Sequence, residues 1–136
     1  MKVISSGIEV LSGVTSTGFD VVQEGTLRIL NGGRADEVAA SSGGAVVVSN
    51  GGILYVCQIG SGGNVTIMNG GYAREVTVDN GGVYQVSSGG TMLSSLIRNG
   101  GSLTIYANVR AAGVTVLDGG KLSVSSGGYK IGRAHV

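Results

Sequence analysis

Cys57 and the many serine and threonine hydroxyls are the side chains that could attack a substrate, and each needs a base to take its proton. In most enzymes of this kind the base is a histidine. The chain has one histidine, His135, which is next to the last residue. We therefore expect no nucleophilic catalysis.

Paired carboxylates are another common catalytic arrangement, because one protonates a glycosidic bond while the other assists from the opposite side. The acids in this chain are few and spread along its length: Glu9, Asp20, Glu24, Asp36, Glu37, Glu75, Asp79 and Asp118. They form no cluster with the six or more oxygens that calcium prefers. We interpret them as solvated loop charges and predict no enzymatic activity, no metal and no cofactor.

Charge and cysteine content exclude several classes of partner. With a formal net charge of +1 and 12% charged residues, the chain lacks the clustered lysine and arginine typical of nucleic-acid binding. A single cysteine cannot form an intramolecular disulfide or a multi-cysteine metal site. No apolar segment is long enough for a transmembrane helix, so we expect no direct membrane insertion by this segment.

The elements that position these side chains follow from a repeat of paired glycines. The pairs alternate in steps of 11 and 8 residues, so a full period is 19 residues. They begin at Gly32, Gly43, Gly51, Gly62, Gly70, Gly81, Gly89, Gly100, Gly119 and Gly127, and the one absent pair falls at Asn108 and Val109. Glycine pairs after Asn, Ser or Asp are typical of turns.

The short half-repeat alternates apolar and variable residues, which predicts a strand with one buried face. Its inward pairs are Ile8 and Val10, Leu27 and Ile29, Val46 and Val48, Val65 and Ile67, Tyr84 and Val86, Leu103 and Ile105, and Leu122 and Val124. The residue between each pair varies freely, so it is expected to face solvent.

The long half-repeat predicts a second strand. Its inward pairs are Phe19 and Val21, Val38 and Ala40, Cys57 and Ile59, Val76 and Val78, Ser95 and Ile97, and Val114 and Val116. A third inward column alternates small and large residues: Ala35, Leu54, Ala73, Met92 and Ala111. Cys57 replaces a valine, so we interpret it as a small buried hydrophobe. Ser95 is the polar exception, and together with Leu96 it predicts a local bulge.

Two folds could use such short strands, a string of antiparallel hairpins or a solenoid of stacked coils. Isolated hairpins with strands of four or five residues are marginal, whereas in a solenoid equivalent residues of successive coils stack directly. The matching inward columns favour the solenoid, so we predict an all-β, single-stranded parallel β-helix of about seven coils. Asn31, Asn50 and Asn69 would then stack, either as an amide ladder or simply as turn residues.

The sequences VSNGG at 48–52 and VSSGG at 86–90 and 124–128, with the 19-residue period, resemble the repeats of AIDA-type autotransporter adhesins. The resemblance covers residues 5–130. It implies a right-handed β-helical passenger that is exported to the bacterial cell surface, with an outer-membrane barrel elsewhere in the protein. It also implies adhesion to a host-cell surface or a sister-cell adhesin, with glycans among the partners, and an extracellular location.

In some members of that family, serine and threonine hydroxyls of the repeats carry heptose. The outward positions that match such acceptors are Ser49, Thr66, Thr77, Ser87, Thr104, Thr115, Ser123 and Ser125. Tyr55, Tyr72, Tyr106 and Tyr129 could face outward as stacking surfaces for a sugar or a protein. The alternative function is a non-catalytic fragment of a carbohydrate-active β-helix, such as a polysaccharide lyase or hydrolase.

The register predicts two regions. Residues 1–130 form the repeat region of a longer passenger, and residues 131–136 depart from the repeat. Their sequence IGRAHV is the translation of a common sequencing adapter, so we predict a non-native tail. Because uncapped terminal coils expose unpaired strand edges, we also expect end-to-end self-association.

Overall fold

The computed structural model describes residues 2–125, except for the side chains of Glu9 and Val10. All regular elements in this range are strands. In chain order they are β1 (Lys2–Ile4), β2 (Ile8–Leu11), β3 (Thr15–Val21), β4 (Thr26–Ile29), β5 (Arg34–Ala40), β6 (Ala45–Val48), β7 (Ile53–Ile59), β8 (Asn64–Ile67), β9 (Tyr72–Val78), β10 (Val83–Val86), β11 (Thr91–Ile97), β12 (Ser102–Ile105), β13 (Arg110–Val116) and β14 (Lys121–Val124).

The strands form two seven-stranded sheets, which we name the long-strand sheet (β1-β3-β5-β7-β9-β11-β13) and the short-strand sheet (β2-β4-β6-β8-β10-β12-β14). Consecutive strands of the chain thus alternate between the sheets, and strand pairs such as β5–β7 and β6–β8 are parallel. The described residues make a β-solenoid of about six turns, with coils of about 19 residues. The parallel β-helix prediction is therefore confirmed, and the hairpin alternative is excluded.

A left-handed residue in the middle of each seven-residue strand explains why the long half-repeat has three inward columns. In β7, Leu54, Cys57 and Ile59 are buried, so the inward alternation skips one residue at Val56. Val56 has a φ of 59° and no partner in the ladder with β9. Equivalent left-handed residues are Gly18, Glu37, Glu75, Ser94 and Gly113.

From β5 to β13, the position of the large inward residue alternates from one coil to the next. A coil with a large residue at the second strand position has a small one at the fifth, as Leu54 with Cys57 and Met92 with Ser95. The coils between them invert this order, as Ala73 with Val76. Each coil thus fills a similar inner volume, as close packing requires.

Ser95 stays in its inward column, so the predicted bulge is wrong. It is 3% exposed and pairs in register with Val76 and Val114. Its neighbour Leu96 pairs in register with Thr77 and Thr115. The break in the strand lies instead at left-handed Ser94, as in every other coil.

The first coil departs from the 19-residue register, which makes the inward prediction for Ile8 wrong. Ile8 pairs with Thr26 and is 64% exposed, whereas Leu11 pairs with Ile29 and is buried. The pairing of the first short strand is thus shifted by one residue, and such a shift explains why the Ile8 side chain lies on the outer face. The inward prediction for Val10 falls on a side chain outside the described part of the chain. At the other end Val124, also predicted inward, is 44% exposed on the last described strand.

The two glycines of each pair serve different needs. Gly51 is left-handed, with a φ of 81°, and its amide donates to the Gly70 carbonyl of the next coil at 3.0 Å. Gly63, the second glycine of its pair, passes so close to the previous coil that a Cβ there would overlap the Ala40 carbonyl oxygen. The paired glycines therefore set both the turn and the close approach of stacked coils.

The asparagines act as turn residues, and no amide-to-amide hydrogen bond joins Asn31, Asn50 and Asn69 within the described part of the chain. Instead, Asn50 Oδ1 occupies the space that a Cβ on Gly70 would need. At the absent glycine pair, Asn108 takes the left-handed conformation with a φ of 63° and Val109 is buried. Asparagine tolerates this conformation better than most residues.

Candidate functional site on the outer faces

The candidate site is the outer surface of the solenoid, where the hydroxyls predicted as glycan acceptors form columns along the stacked coils. On the short-strand sheet, Thr66, Gln85, Thr104 and Ser123 are successive ladder partners at one outward position. On the long-strand sheet, Leu96 pairs with Thr77 on one side and Thr115 on the other.

A third column follows the short strands at the turn. Ser49, Ser87 and Ser125 each donate a backbone hydrogen bond of 2.8 Å to the preceding coil. They alternate with Met68 and Tyr106, which are 42% and 39% exposed. All eight predicted acceptors are at least partly exposed, and in residues 2–125 no side-chain hydrogen bond engages their hydroxyls. These hydroxyls are accessible from solvent.

Arginine and tyrosine side chains meet on the outer face of the long-strand sheet. A shallow depression of about 310 Å³ is lined by Arg34, Ile53, Tyr55, Tyr72 and Arg74, and we name it the Arg–Tyr cleft. In one outward column Arg34, Ile53 and Tyr72 are ladder partners. The sequence pointed to both tyrosines, but not to the arginines beside them.

Tyr55 lies between two cations from the coils on either side. The guanidinium carbon of Arg34 is 5.1 Å from the ring centroid and that of Arg74 is 5.8 Å from it, within the range of cation–π attraction. The ring thereby holds both guanidinium groups at the cleft.

Asp36 is a strand residue that pairs with Arg34, so the interpretation of this acid as a solvated loop charge is wrong. Arg34 Nε donates to Asp36 Oδ1 at 2.8 Å. This hydrogen bond, with the attraction of the carboxylate, raises the pKa of Arg34. No carboxylate among the described residues pairs with Arg74, so the cleft retains the positive charge of that side chain.

Another ion pair lies on the surface and contributes little to stability. Arg98 and Asp79 form an exposed ion pair at 3.5 Å across neighbouring turns, of a kind that contributes about 0–1 kcal/mol. Within residues 2–125 no group of three or more His, Cys, Asp and Glu side chains could hold a metal ion.

Cys57 is buried, as the column predicted. Burial raises the pKa of its thiol from 9.0 to about 12, so the thiolate needed for nucleophilic attack is not formed near neutral pH. This residue is part of the core and has no access to a substrate.

Several predicted features lie elsewhere. Tyr106 faces solvent at 39% exposure, while Tyr129, His135 and the predicted tail 131–136 lie outside the described residues. None of the described elements is a helix with the length and apolarity needed to cross a membrane.

Comparison with known proteins finds a solved structure that is similar to this chain. No family model matches the chain, and no curated protein matches it. The structure is the crystal structure of a TibC-catalysed, hyper-glycosylated fragment of TibA, with 23% identity and a TM-score of 0.44. The match covers 98% of this chain and 72% of the other. Because the TM-score is below 0.5, this likeness does not bear on the function of the present chain.

Proposed function

We propose that this chain is part of the repeat region of a bacterial autotransporter adhesin of the AIDA type, which is displayed at the cell surface and mediates adhesion or aggregation. The observation that carries the proposal is the stack of 19-residue coils from β4 to β14, whose outward columns stay accessible. The VSSGG-type repeats support the same family.

A regular stack of this kind suits a spacer whose outer faces are available for binding. Each coil adds about 4.8 Å of length, and each contacts only its neighbours, so length grows by repetition without a new core. A polysaccharide lyase or hydrolase needs loops at the corners to build a deep cleft. From Gly32 to Gly120 the glycine register admits no such insertion, which favours the structural and adhesive role over a fragment of a carbohydrate-active β-helix.

The eight outward hydroxyls are proposed as acceptors for O-linked sugars. Thr66, Thr104 and Ser123 share one column and Thr77 and Thr115 another, while Ser49, Ser87 and Ser125 occupy the turn. Sugars on these positions would project away from the core, so they could be added without disturbing inward packing. The partners proposed for the surface are host-cell glycans or proteins and adhesins of sister cells.

The adhesive role is tested with inert beads coated with the 136-residue chain. We expect these beads to bind epithelial cells, or one another, more than beads coated with albumin. Binding no greater than that of the albumin beads would contradict the proposal. Release of reducing ends from polysaccharides by the purified chain would contradict both the adhesive role and the non-catalytic alternative, because it would show that these coils themselves are catalytic.

A further inference from the structure

The Arg–Tyr cleft extends over three consecutive coils, those of β5, β7 and β9. Arg34 comes from the first coil, Ile53 and Tyr55 from the second, and Tyr72 and Arg74 from the third. Three strands at about 4.8 Å spacing span about 10 Å, the length of one or two sugar rings. The cleft therefore has the dimensions of a small-ligand site.

The charge of the cleft selects an anion with few charges. Arg34 uses one of its five N–H donors on Asp36, and Arg74 has no carboxylate partner among residues 2–125. Exposed Glu37 and Glu75 follow in the next column and repel a polyanion. A single acidic group is therefore the best match.

The rest of the lining is apolar. Ile53 and Tyr72 are ladder partners and both are half-buried, so they form a wall beside the guanidinium groups. A sugar ring presents a C–H face that can lie against such a wall while its acidic group contacts arginine. An aromatic or aliphatic wall with a few placed polar groups is typical of small-ligand sites.

The size of the cleft favours a saccharide over an acidic protein segment. Its volume of about 310 Å³ is at the lower end of small-molecule sites. A stable protein interface buries about 800 Å² on each partner, which a depression of this size does not provide.

We propose that the Arg–Tyr cleft binds an acidic saccharide, with one carboxylate or sulfate ester on Arg74 and Arg34 and the sugar C–H face on Tyr72 and Ile53. The proposal deepens the adhesive function by naming a ligand class. It rests on that function in one respect, because it takes the outer face of the solenoid as the surface that binds ligands.

The test is a titration of the full chain with glucuronate, glucose 6-sulfate and glucose at low ionic strength. The three sugars differ at C6, so they separate a carboxylate, a sulfate ester and a neutral group. The chain has five tyrosines and no tryptophan, so tyrosine fluorescence measures binding in the titration. Changes in the NMR chemical shifts of the Ile53, Tyr72 and Arg74 backbone amides show whether the sugar binds at the cleft.

We expect at least one acidic sugar to bind about tenfold or more tightly than glucose, because a hydrogen bond to a charged group contributes about 1.5–3 kcal/mol. Arg74→Met should remove this preference, and Arg74→Lys should restore part of it. Arg28→Met is the matched control, since Arg28 is also an exposed outward arginine but lies on the short-strand sheet. It should bind like the parent chain.

Three results would overturn the proposal: equal binding of all three sugars, an equal loss in Arg74→Met and Arg28→Met, or a triglutamate peptide that binds as tightly as the better acidic sugar. Failure of the titration while coated beads still adhere would refute the cleft alone. Loss of bead adhesion with an intact titration would refute the adhesive function instead.

Discussion

The hydroxyl of Tyr84 faces the hydroxyl of Ser95 inside the solenoid, and neither has a hydrogen bond of good geometry. Burial raises the pKa of Tyr84, the nearby Cys57 raises it further, and Ser95 lowers it in part. The large Tyr84 replaces the Val65 and Leu103 of the adjacent coils, and the small Ser95 replaces Val76 and Val114. The two substitutions compensate for each other in volume.

We expect Tyr84→Phe to raise the free energy of unfolding by about 1 kcal/mol, because it removes a buried hydroxyl without a partner. Ser95→Val should lower it by about 1–3 kcal/mol, since the added methyl groups would meet the tyrosine. Urea unfolding followed by circular dichroism measures both changes.

The double variant Tyr84→Leu/Ser95→Val recreates the pair that Leu103 and Val114 make one coil later. It should therefore be more stable than the sum of its two single changes predicts, by about 1 kcal/mol or more. Strict additivity would show that the two side chains do not share space.

The buried thiol of Cys57 should make stability depend on alkaline pH. Its pKa is raised from 9.0 to about 12, so the folded chain keeps a proton that the unfolded chain loses between these values. Stability is therefore full below pH 9 and falls as pH rises toward 12, by up to about 1.4 kcal/mol per pH unit.

The control is Cys57→Val, which places in this column the residue that Val38 and Val76 already provide. The difference in unfolding free energy between the parent chain and this variant, measured from pH 8 to 11, isolates the thiol from other titrating groups. Parallel curves for the two proteins would contradict a thiol pKa near 12.

Substitution by alanine at the second glycine of a pair should destabilise the chain by different amounts in different coils. A Cβ at Gly63 would overlap the Ala40 carbonyl oxygen, whereas one at Gly120 would lie 3.1 Å from the Ile97 oxygen. Neither glycine has positive φ, so the cost is steric. We expect Gly63→Ala to lose about 3 kcal/mol and Gly120→Ala about 1 kcal/mol or less. Equal losses in thermal unfolding would contradict this account.

The sequence was sufficient for the coil length and most of the inward columns, because equivalent residues stack directly and every coil repeats the same pattern. Leu54, Cys57 and Ile59 could be assigned inward from their neighbours 19 residues away. The outward position of Ile8 could not be predicted in this way. The first two short strands pair one residue out of the 19-residue register, and no glycine pair in the sequence marks this shift.

The Arg–Tyr cleft was only partly predictable. Periodicity places Tyr55 in the column of Asp36 and Arg74, but the rotamers that bring Arg34 and Arg74 to its ring follow from local contacts. The strain at Val56 was also hidden, because the other residues of its column include glycine, serine and glutamate. A column of mixed residue types gives no periodic sign of a left-handed backbone.

Val56 offers the most direct test of the left-handed break in the seven-residue strands. It is a β-branched residue with a φ of 59° and 39% exposure, and this conformation costs a non-glycine residue about 1–2 kcal/mol. Val56→Gly relieves that strain and adds about 0.5–1 kcal/mol of backbone entropy cost, so we expect a net gain in the free energy of unfolding of up to about 1.5 kcal/mol. Val47→Gly is the control, because Val47 is outward on β6 with an ordinary backbone, and it should lose about 1 kcal/mol. If urea unfolding shows that both changes destabilise the chain equally, then the left-handed conformation at Val56 carries no strain. The preference of valine for other backbone conformations would then not destabilise the strand break at this position.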